Sequence, residues 1–383
     1  MRQYDYIISG AGASGLMLAY RMAKDPFFAK SDILIIDKEN KTIADHIWCY
    51  WDKKEDLWAP IISKEWYHIL FGSPHYNSKS TIAPYSYKMV RSTDFYSYIW
   101  NILDAKSNIS FVQEALVSIE DQGTAAIVTT AQKVYSARKV LNSVLLDHDY
   151  RHNNTYPLIN QHFVGWFIKT KNPVFDPEVA TFMDFDISQK RNTRFMYVLP
   201  TSSTEALLEY TLFSKVVLEN KEYEEAIRAY LKEKNITDYE VLETEYGSIP
   251  MTNYVFHSKN TKNVLHMGTA GGWTKASTGY TFRNATKKTQ ALISFLKTEK
   301  SLNRFAKRNK FWFYDLLLLD ILAKHNETGA SLFTSMFKKS KVTHIFKFLD
   351  EETSIFEDIK IMSSMPQWPF VKALFSRIWK TLF

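Results

Sequence analysis

Cysteine is almost missing: Cys49 is the only one in 383 residues. An internal disulfide is therefore excluded, and a reducing compartment fits. No run of about 18 apolar residues is present, which excludes a membrane-spanning helix. The amino terminus enters a strand-like run without the basic, apolar and small-residue order of a signal peptide, so none is expected. A Walker-type phosphate loop and a Gly-x-Ser-x-Gly elbow are both absent. The ten histidines have no metal-ligand spacing, and His148 and His152 stand in a polar loop without a carboxylate partner; no metal is expected. Internal repeats and low-complexity linkers are lacking too. What remains is a soluble or membrane-surface chain, long enough for two or three lobes and 15% aromatic.

Two glycine-rich stretches dominate what is there. Gly10-Ala11-Gly12-Ala13-Ser14-Gly15 follows the apolar run Tyr6-Ile7-Ile8-Ser9. Residues 16–24 then read as a helix, and 32–36 as a buried strand ending at Asp37 and Lys38. Asp37 lies 22 residues after Gly15, where a carboxylate grips a ribose hydroxyl in dinucleotide-binding units. The glycines allow a tight turn, close backbone approach to phosphate and close helix–strand packing. The helix start turns free amides toward a pyrophosphate. The second stretch, Gly268-Thr269-Ala270-Gly271-Gly272, closes at Ser277-Thr278-Gly279. A loop at each end of a long insertion implies a flavin, its adenosine diphosphate half on the first and its ring near the second.

Residues 87–95 open another helix, on which Arg91 reads as a phosphate partner, a closure of the cofactor cleft or a surface ion pair. Residues 109–145 alternate in short runs and predict a small sheet finishing the nucleotide domain. The runs 162–168, 181–185, 195–199 and 206–213, rich in aromatic and β-branched residues, predict an antiparallel substrate sheet. A charged helix at 219–234 is expected on the solvated surface. The tail is helical, and Phe370, Val371, Leu374, Phe375, Ile378, Trp379, Leu382 and Phe383 fall on one face with Lys372, Arg377 and Lys380 opposite. Such a helix lies in a lipid interface or packs on the body. Residues 287–310, with Lys287, Lys288, Lys297, Lys300, Arg304, Lys307, Arg308 and Lys310 against Glu299, carry an excess equal to the whole chain's +7. Nucleic acid, anionic lipid and a solvated helix face all suit that charge; the nearby Trp and Phe favour lipid over nucleic acid.

The expected fold is α/β: a Rossmann-type nucleotide domain (1–145 and 247–296), an inserted antiparallel-sheet substrate domain (146–246) and a helical C-terminal region (297–383). On a strand, Leu207, Glu209 and Thr211 share one face. A carboxyl among such neighbours ionises reluctantly, and its pKa rises from about 4.3, leaving a proton donor near neutrality. A surface-facing glutamate is the alternative. Cys49, between Trp48 and Tyr50, reads as a packing residue.

Several segments carry a family likeness along nearly the whole chain: 10–15, His46-Ile-Trp-Cys-Tyr-Trp51, 89–96, Met183-Asp-Phe185, Leu207-Leu-Glu-Tyr-Thr-Leu-Phe-Ser214, Gly247-Ser-Ile-Pro-Met251 and 268–282. The chain resembles the bacterial-type lycopene β-cyclases, flavoproteins related in fold to aromatic hydroxylases and geranylgeranyl reductases. The resemblance puts the acid required for cyclisation at Glu209, the FAD pyrophosphate loop at Gly10, Gly12, Ala13, Ser14 and Gly15, and the ribose acid at Asp37 beside Lys38. Arg91 matches the arginine of related flavoproteins, and Gly268, Thr269, Thr278 and Gly279 fall in the flavin-side loop. Asp184 and Glu245 are candidates for the base. Thr269 stands where related hydroxylases have Asp, which alters the ribitol contact, and Ala276 where cyclases often have proline. The implied reaction is a redox-neutral ring closure of lycopene on reduced FAD, with NAD(P)H as reductant, at the cytoplasmic face of a membrane, where other carotenoid enzymes are candidate partners. Rival readings are a hydroxylase or polyprenyl reductase on the same fold, or a non-catalytic carotenoid carrier.

Overall fold

Apolar runs too short for helices become the parallel centre of the first sheet. In this computed structural model, which describes residues 2–41, 46–53, 56–305 and 308–382, Gln3–Ser9 lies between Ile33–Asp37 and Val134–Asn142. Ile109–Gln113 extends the sheet beyond Ile33–Asp37, again in parallel. Ile33–Asp37 is buried at all five positions, as a strand covered on both faces requires. Two antiparallel strands, Ala126–Thr130 and Leu116–Asp121, continue from the first half of Val134–Asn142, while Val264–His266 runs parallel to its second half. Ser9, Asn142 and His266 are thereby in register at one end of the sheet. That register brings loops some 250 residues apart in sequence to one edge. Behind them Ala13–Lys24 packs on Phe282–Leu296, with Arg21 donating to Thr289 Oγ1 (3.1 Å) and the Thr286 carbonyl (3.0 Å).

The second sheet runs Tyr239–Thr252, Leu158–Thr170, Glu205–Ser214, Thr193–Pro200, Val179–Asp184, His68–Ser73, Tyr76–Thr81. Its last two strands come from residues ahead of the expected boundary at 146. They join through a parallel pairing of His68–Ser73 with Val179–Asp184, a non-local contact that local pattern does not reveal. A third, three-stranded sheet holds Ile47–Asp52, Ser86–Arg91 and Lys64–Trp66. Of residues 87–95, expected to open a helix, the first five belong to the strand Ser86–Arg91, and the helix Ser92–Leu103 begins directly after Arg91.

Alternation along the second sheet divides its side chains between two coverings. Val164, Trp166, Met196, Leu208 and Tyr210 pack under the helix Asn220–Glu233. That helix is not the solvated surface its charge suggested: Tyr223, Ile227, Tyr230 and Leu231 make a buried stripe at helical spacing. The other face, with Phe167, Phe195, Tyr197, Leu207 and Phe213, meets the C-terminal helices through Phe311, Leu319, Phe333, Phe337 and Phe346.

Those helices are Lys310–Lys324, Gly329–Lys339, Val342–Leu349, Ile355–Ser364 and Gln367–Leu382. The last one docks through Ala373, Phe370 and Leu374 on Leu317 and Ile321. Arg377, expected on the outer basic face, turns inward to Asp320 (2.5 Å) and the Thr155 carbonyl (2.6 Å). The basic stretch is also partly neutralised: Lys287 pairs with Glu352 (2.7 Å), Lys297 with Asp25 (2.5 Å) and Lys310 with Asp358 (2.5 Å). Lys307 and Phe383 lie outside the described residues, as do the side chains of Lys380 and Leu382.

Candidate active site

The first loop forms an anion-binding helix start. Gly10 has φ +96°, a conformation that suits glycine, and its amide bonds the Ile36 carbonyl (2.7 Å). At Gly15 a Cβ would overlap the Gly10 carbonyl oxygen, so only glycine lets the helix approach so closely. The Leu16 amide reaches the Gly12 carbonyl (3.0 Å); the amides before it are the orphan donors of a helix start. A Cβ on Gly12 would meet nothing within 4 Å, so open space lies where a phosphate would approach. Asp37 Oδ2 accepts from the Ala11 amide (2.6 Å) and Oδ1 from the Glu39 amide (2.9 Å), which fixes the carboxylate at the strand end. Lys38 is exposed beside Glu39 (3.3 Å) and does not join it.

The second loop closes on the first. A Cβ on Gly268, at φ +59°, would stand 2.8 Å from Ser14 Oγ. Thr269 Oγ1 lies 3.3 Å from Thr274 Oγ1, which in turn lies 3.0 Å from Thr281 Oγ1. Thr278 Oγ1 and Gln161 Oε1 are buried with no hydrogen-bond partner, and Gln161 abuts Gly279. Buried polar atoms without partners are uncommon. Together with the open helix start, they fit a dinucleotide cofactor whose ring carries polar edges.

One residue beyond Gly279 the chain reaches the acidic centre. The Tyr280 hydroxyl lies 3.2 Å from that of Tyr197. Tyr197 is in register with Glu209, Glu209 with Gly165, and Gly165 with Glu245. Residues directly opposite in adjacent strands point to one face, so both carboxyl side chains rise on either side of a residue that has none. A Cβ on Gly165 would stand 2.9 Å from Glu245 Cγ and 3.0 Å from its Oε1. Glu245 Oε2 accepts from the Ile47 amide (3.2 Å), and Glu209 Oε1 accepts from Thr211 Oγ1 (2.5 Å).

Only part of Glu209's surface is covered, yet its carboxyl lies deep among protein atoms. Burial pushes its pKa up to about 7, against the opposing bonds from Thr211 and Glu245. Burial and then the charge of Glu209 raise Glu245 as well, against the Ile47 amide and Arg91. Two such carboxyls titrate as a unit, with one proton held between them. Cys49 adjoins the pair; burial, then the two glutamates, hold its thiol protonated, as a packing residue's would be.

Two expected residues stand elsewhere. Asp184 shares its face with Met196 and Tyr210, the opposite one from Glu209. Its carboxylate accepts from Tyr230 (2.8 Å) and from the Asp186 amide (2.9 Å), so the structure does not bring it to the acidic pair. Arg91 stacks on Phe167 (4.7 Å) and pairs with Glu243 (2.9 Å). It lines a cleft of ≈ 460 Å³ with His46, Ile47, Leu207 and Glu245. Gly165, Tyr197 and Tyr280 were not singled out from sequence. A glycine inside an aromatic strand is the signal that marks the first of them.

This architecture, a Rossmann-type sheet with a partly antiparallel sheet set against it, is that of FAD-dependent oxidoreductases, monooxygenases and halogenases. A geranylgeranyl bacteriochlorophyll reductase-like protein of Thermoplasma acidophilum has a similar fold (TM-score 0.61, 12% identity, 98% of this chain and 100% of that one). So do a flavoprotein/dehydrogenase of Cytophaga hutchinsonii (TM-score 0.57, 12% identity, 94% and 100%) and a halogenase PltM mutant in complex with FAD (TM-score 0.56, 11% identity, 91% and 79%). In sequence, residues 5–375 match the lycopene cyclase protein family, and the chain belongs to it. A lycopene β-cyclase of Pantoea ananas is 22% identical over 262 residues, 65% of this chain and 63% of that protein's length.

Proposed function

We propose that this lycopene cyclase-family protein closes the acyclic ends of lycopene to β-rings, giving γ-carotene and then β-carotene with no net redox change. The observation that carries the reading is Glu209, a carboxylic acid that keeps its proton up to about pH 7 on an aromatic sheet face. The substrate is a hydrocarbon with no polar handle, so ring closure has to begin with a proton delivered to an alkene. An acid kept neutral by dry surroundings suits that task. Trp51, Phe182, Tyr87 and Tyr197 are packed around the same face. Their π-faces favour a developing cation and keep water from trapping it.

The residues of the two loops, with Asp37 and the unpartnered atoms of Thr278 and Gln161, would hold FAD. Bound and reduced, with NAD(P)H as the reductant, FAD supplies an electron-rich ring that stabilises positive charge beside it. Helix Phe282–Leu296 begins two residues after Tyr280, and its positive end favours that electron-rich state.

The substrate also asks for a membrane. At about 0.8 kcal/mol per CH₂, a forty-carbon chain meets a cost of tens of kcal/mol in water. No helix among the described residues is long and apolar enough to cross a bilayer. Phe356, Ile359, Trp368, Phe375 and Trp379 are exposed on the last two helices, 86% in the case of Phe356. We assign these exposed side chains to peripheral docking at the cytoplasmic side of a membrane. Deleting residues 370–383 is expected to lower co-sedimentation with liposomes; undiminished binding would reject the docking role.

The activity is tested by expression in lycopene-producing bacteria followed by pigment chromatography. β-Carotene is expected. A polyprenyl reductase, the reading favoured by the first fold neighbour above, would instead change the mass of the product without closing a ring.

A further inference from the structure

We infer that Glu245 is the second catalytic carboxylate of this site, the base that removes the ring proton, working with Glu209 across the gap left by Gly165. The inference rests on the cyclase reading and extends it to the last step of the reaction.

The strand register makes the argument. Glu245, Gly165 and Glu209 occupy one row across three neighbouring strands, on one face. Any side chain at 165 would stand between the acids, within 3.0 Å of Glu245. Folds avoid setting two carboxyls together in dry surroundings without reason, because like charges there repel strongly. The Ile47 amide holds Glu245 Oε2 (3.2 Å), and Arg91 lines the same cleft. Both help Glu245 carry charge, against burial and the charge of Glu209, which raise it, so one proton shared across the pair can sit on Glu209 with Glu245 as the charged partner.

That division of labour matches the chemistry. Glu209 gives its proton to carbon 2 of the terminal double bond, and carbon 1 becomes cationic. The electron pair of the double bond between carbons 5 and 6 forms the bond from carbon 6 to carbon 1, which moves the charge to carbon 5. Glu245 then takes the proton on carbon 6, and the electrons of that bond restore the double bond to carbon 5. Carbons 2 and 6 are both bonded to carbon 1 in the ring, so donor and acceptor must also be neighbours. The cycle leaves Glu209 charged and Glu245 protonated. Return of the proton along their hydrogen bond resets both without any co-reactant. Asp184, across the sheet, is out of reach of this exchange.

The test compares Glu245→Gln with wild type in lycopene-producing cells, with flavin content measured on each purified protein. Loss of β-rings by about 100-fold is expected, and the residual product should carry rings with an exocyclic methylene, because the cation at carbon 5 then loses a proton from its methyl group. β-Rings formed within about threefold of the wild-type rate would overturn the assignment. If the glutamine variant holds no flavin, Glu245→Asp, which retracts the carboxylate by one methylene, is read the same way: a shift toward exocyclic rings supports the assignment and β-rings alone overturn it. Gly165→Ala should lower turnover about tenfold or more with flavin retained, and unchanged turnover would refute the pairing across the gap. Failure of the wild-type protein to cyclise at all would sink the cyclase reading rather than this assignment.

Discussion

Under the helix Asn220–Glu233, Arg194 donates to Glu222 and to Tyr210 (2.9 Å each), Asp184 accepts from Tyr230, and His162 sits between Tyr223 (2.5 Å) and Ser214 (2.7 Å). On the opposite face of the same sheet, Glu209 and Glu245 meet as like against like. The first arrangement joins donors to acceptors and holds sheet to helix. The second spends stability, as strained functional sites do. Buried polar groups of similar cost thus divide by partner: complementary partners mark architecture, and matched acids mark chemistry.

Substitutions can break that contrast. The largest effect is expected for Glu209→Gln, with β-ring formation falling between about 10²- and 10⁴-fold while FAD stays bound. Pigment chromatography beside flavin absorbance reads both quantities, and retained cyclisation would end the contrast. Asp184→Ala on the helix side should do the reverse. Leaving the Tyr230 hydroxyl and the Asp186 amide unpaired costs about 1–3 kcal/mol by denaturant titration, and cyclisation per bound flavin should stay within about threefold.

The pH dependence sharpens it further. Cyclisation needs Glu209 in its acid form and Glu245 in its charged form, so the rate should fall roughly tenfold per unit above about pH 7 and fall again on the acid side, where both carboxyls hold protons; in Glu245→Gln the acid limb should vanish. Stability should tilt oppositely on the two faces. Glu209 is raised in the fold, so its contribution is full below its ordinary value of 4.5 and is lost as pH rises through about 7. His162 is lowered to about 4, by burial and then by Arg194. Its contribution is full above 6.5 and is lost as pH falls through about 4, with a slope near 1.4 kcal/mol per unit. Relative to wild type, stability between about pH 4.5 and 6.5 should therefore climb more with pH in Glu209→Gln, which loses a falling slope, and fall more with pH in His162→Gln, which loses the rising one.

Much of this was legible in sequence. Glycines at φ +96° and +59° announce themselves through the steric demand at their positions, and Asp37 through its fixed offset from the first loop. Glu209 lies in a short, distinctive motif. Its partner is different in kind: Glu245 is 36 residues away and reaches Glu209 only because both strands register on Gly165. No local periodicity carries that information, which is why Asp184 looked as good a candidate as Glu245. The inward turn of Arg377 escaped for a related reason: a helical wheel gives a residue's face, and Asp320 on another helix decides which way that face looks. Likewise, the strands His68–Ser73 and Tyr76–Thr81 are recognisable locally, but their sheet is not.

The shared proton itself can be observed by infrared titration of the purified holoprotein. A protonated carboxyl band that persists at pH 6, fades near pH 7 and is altered in Glu209→Gln is what the account requires. A spectrum in which both glutamates are ionised at pH 6, identical in wild type and variant, would contradict it.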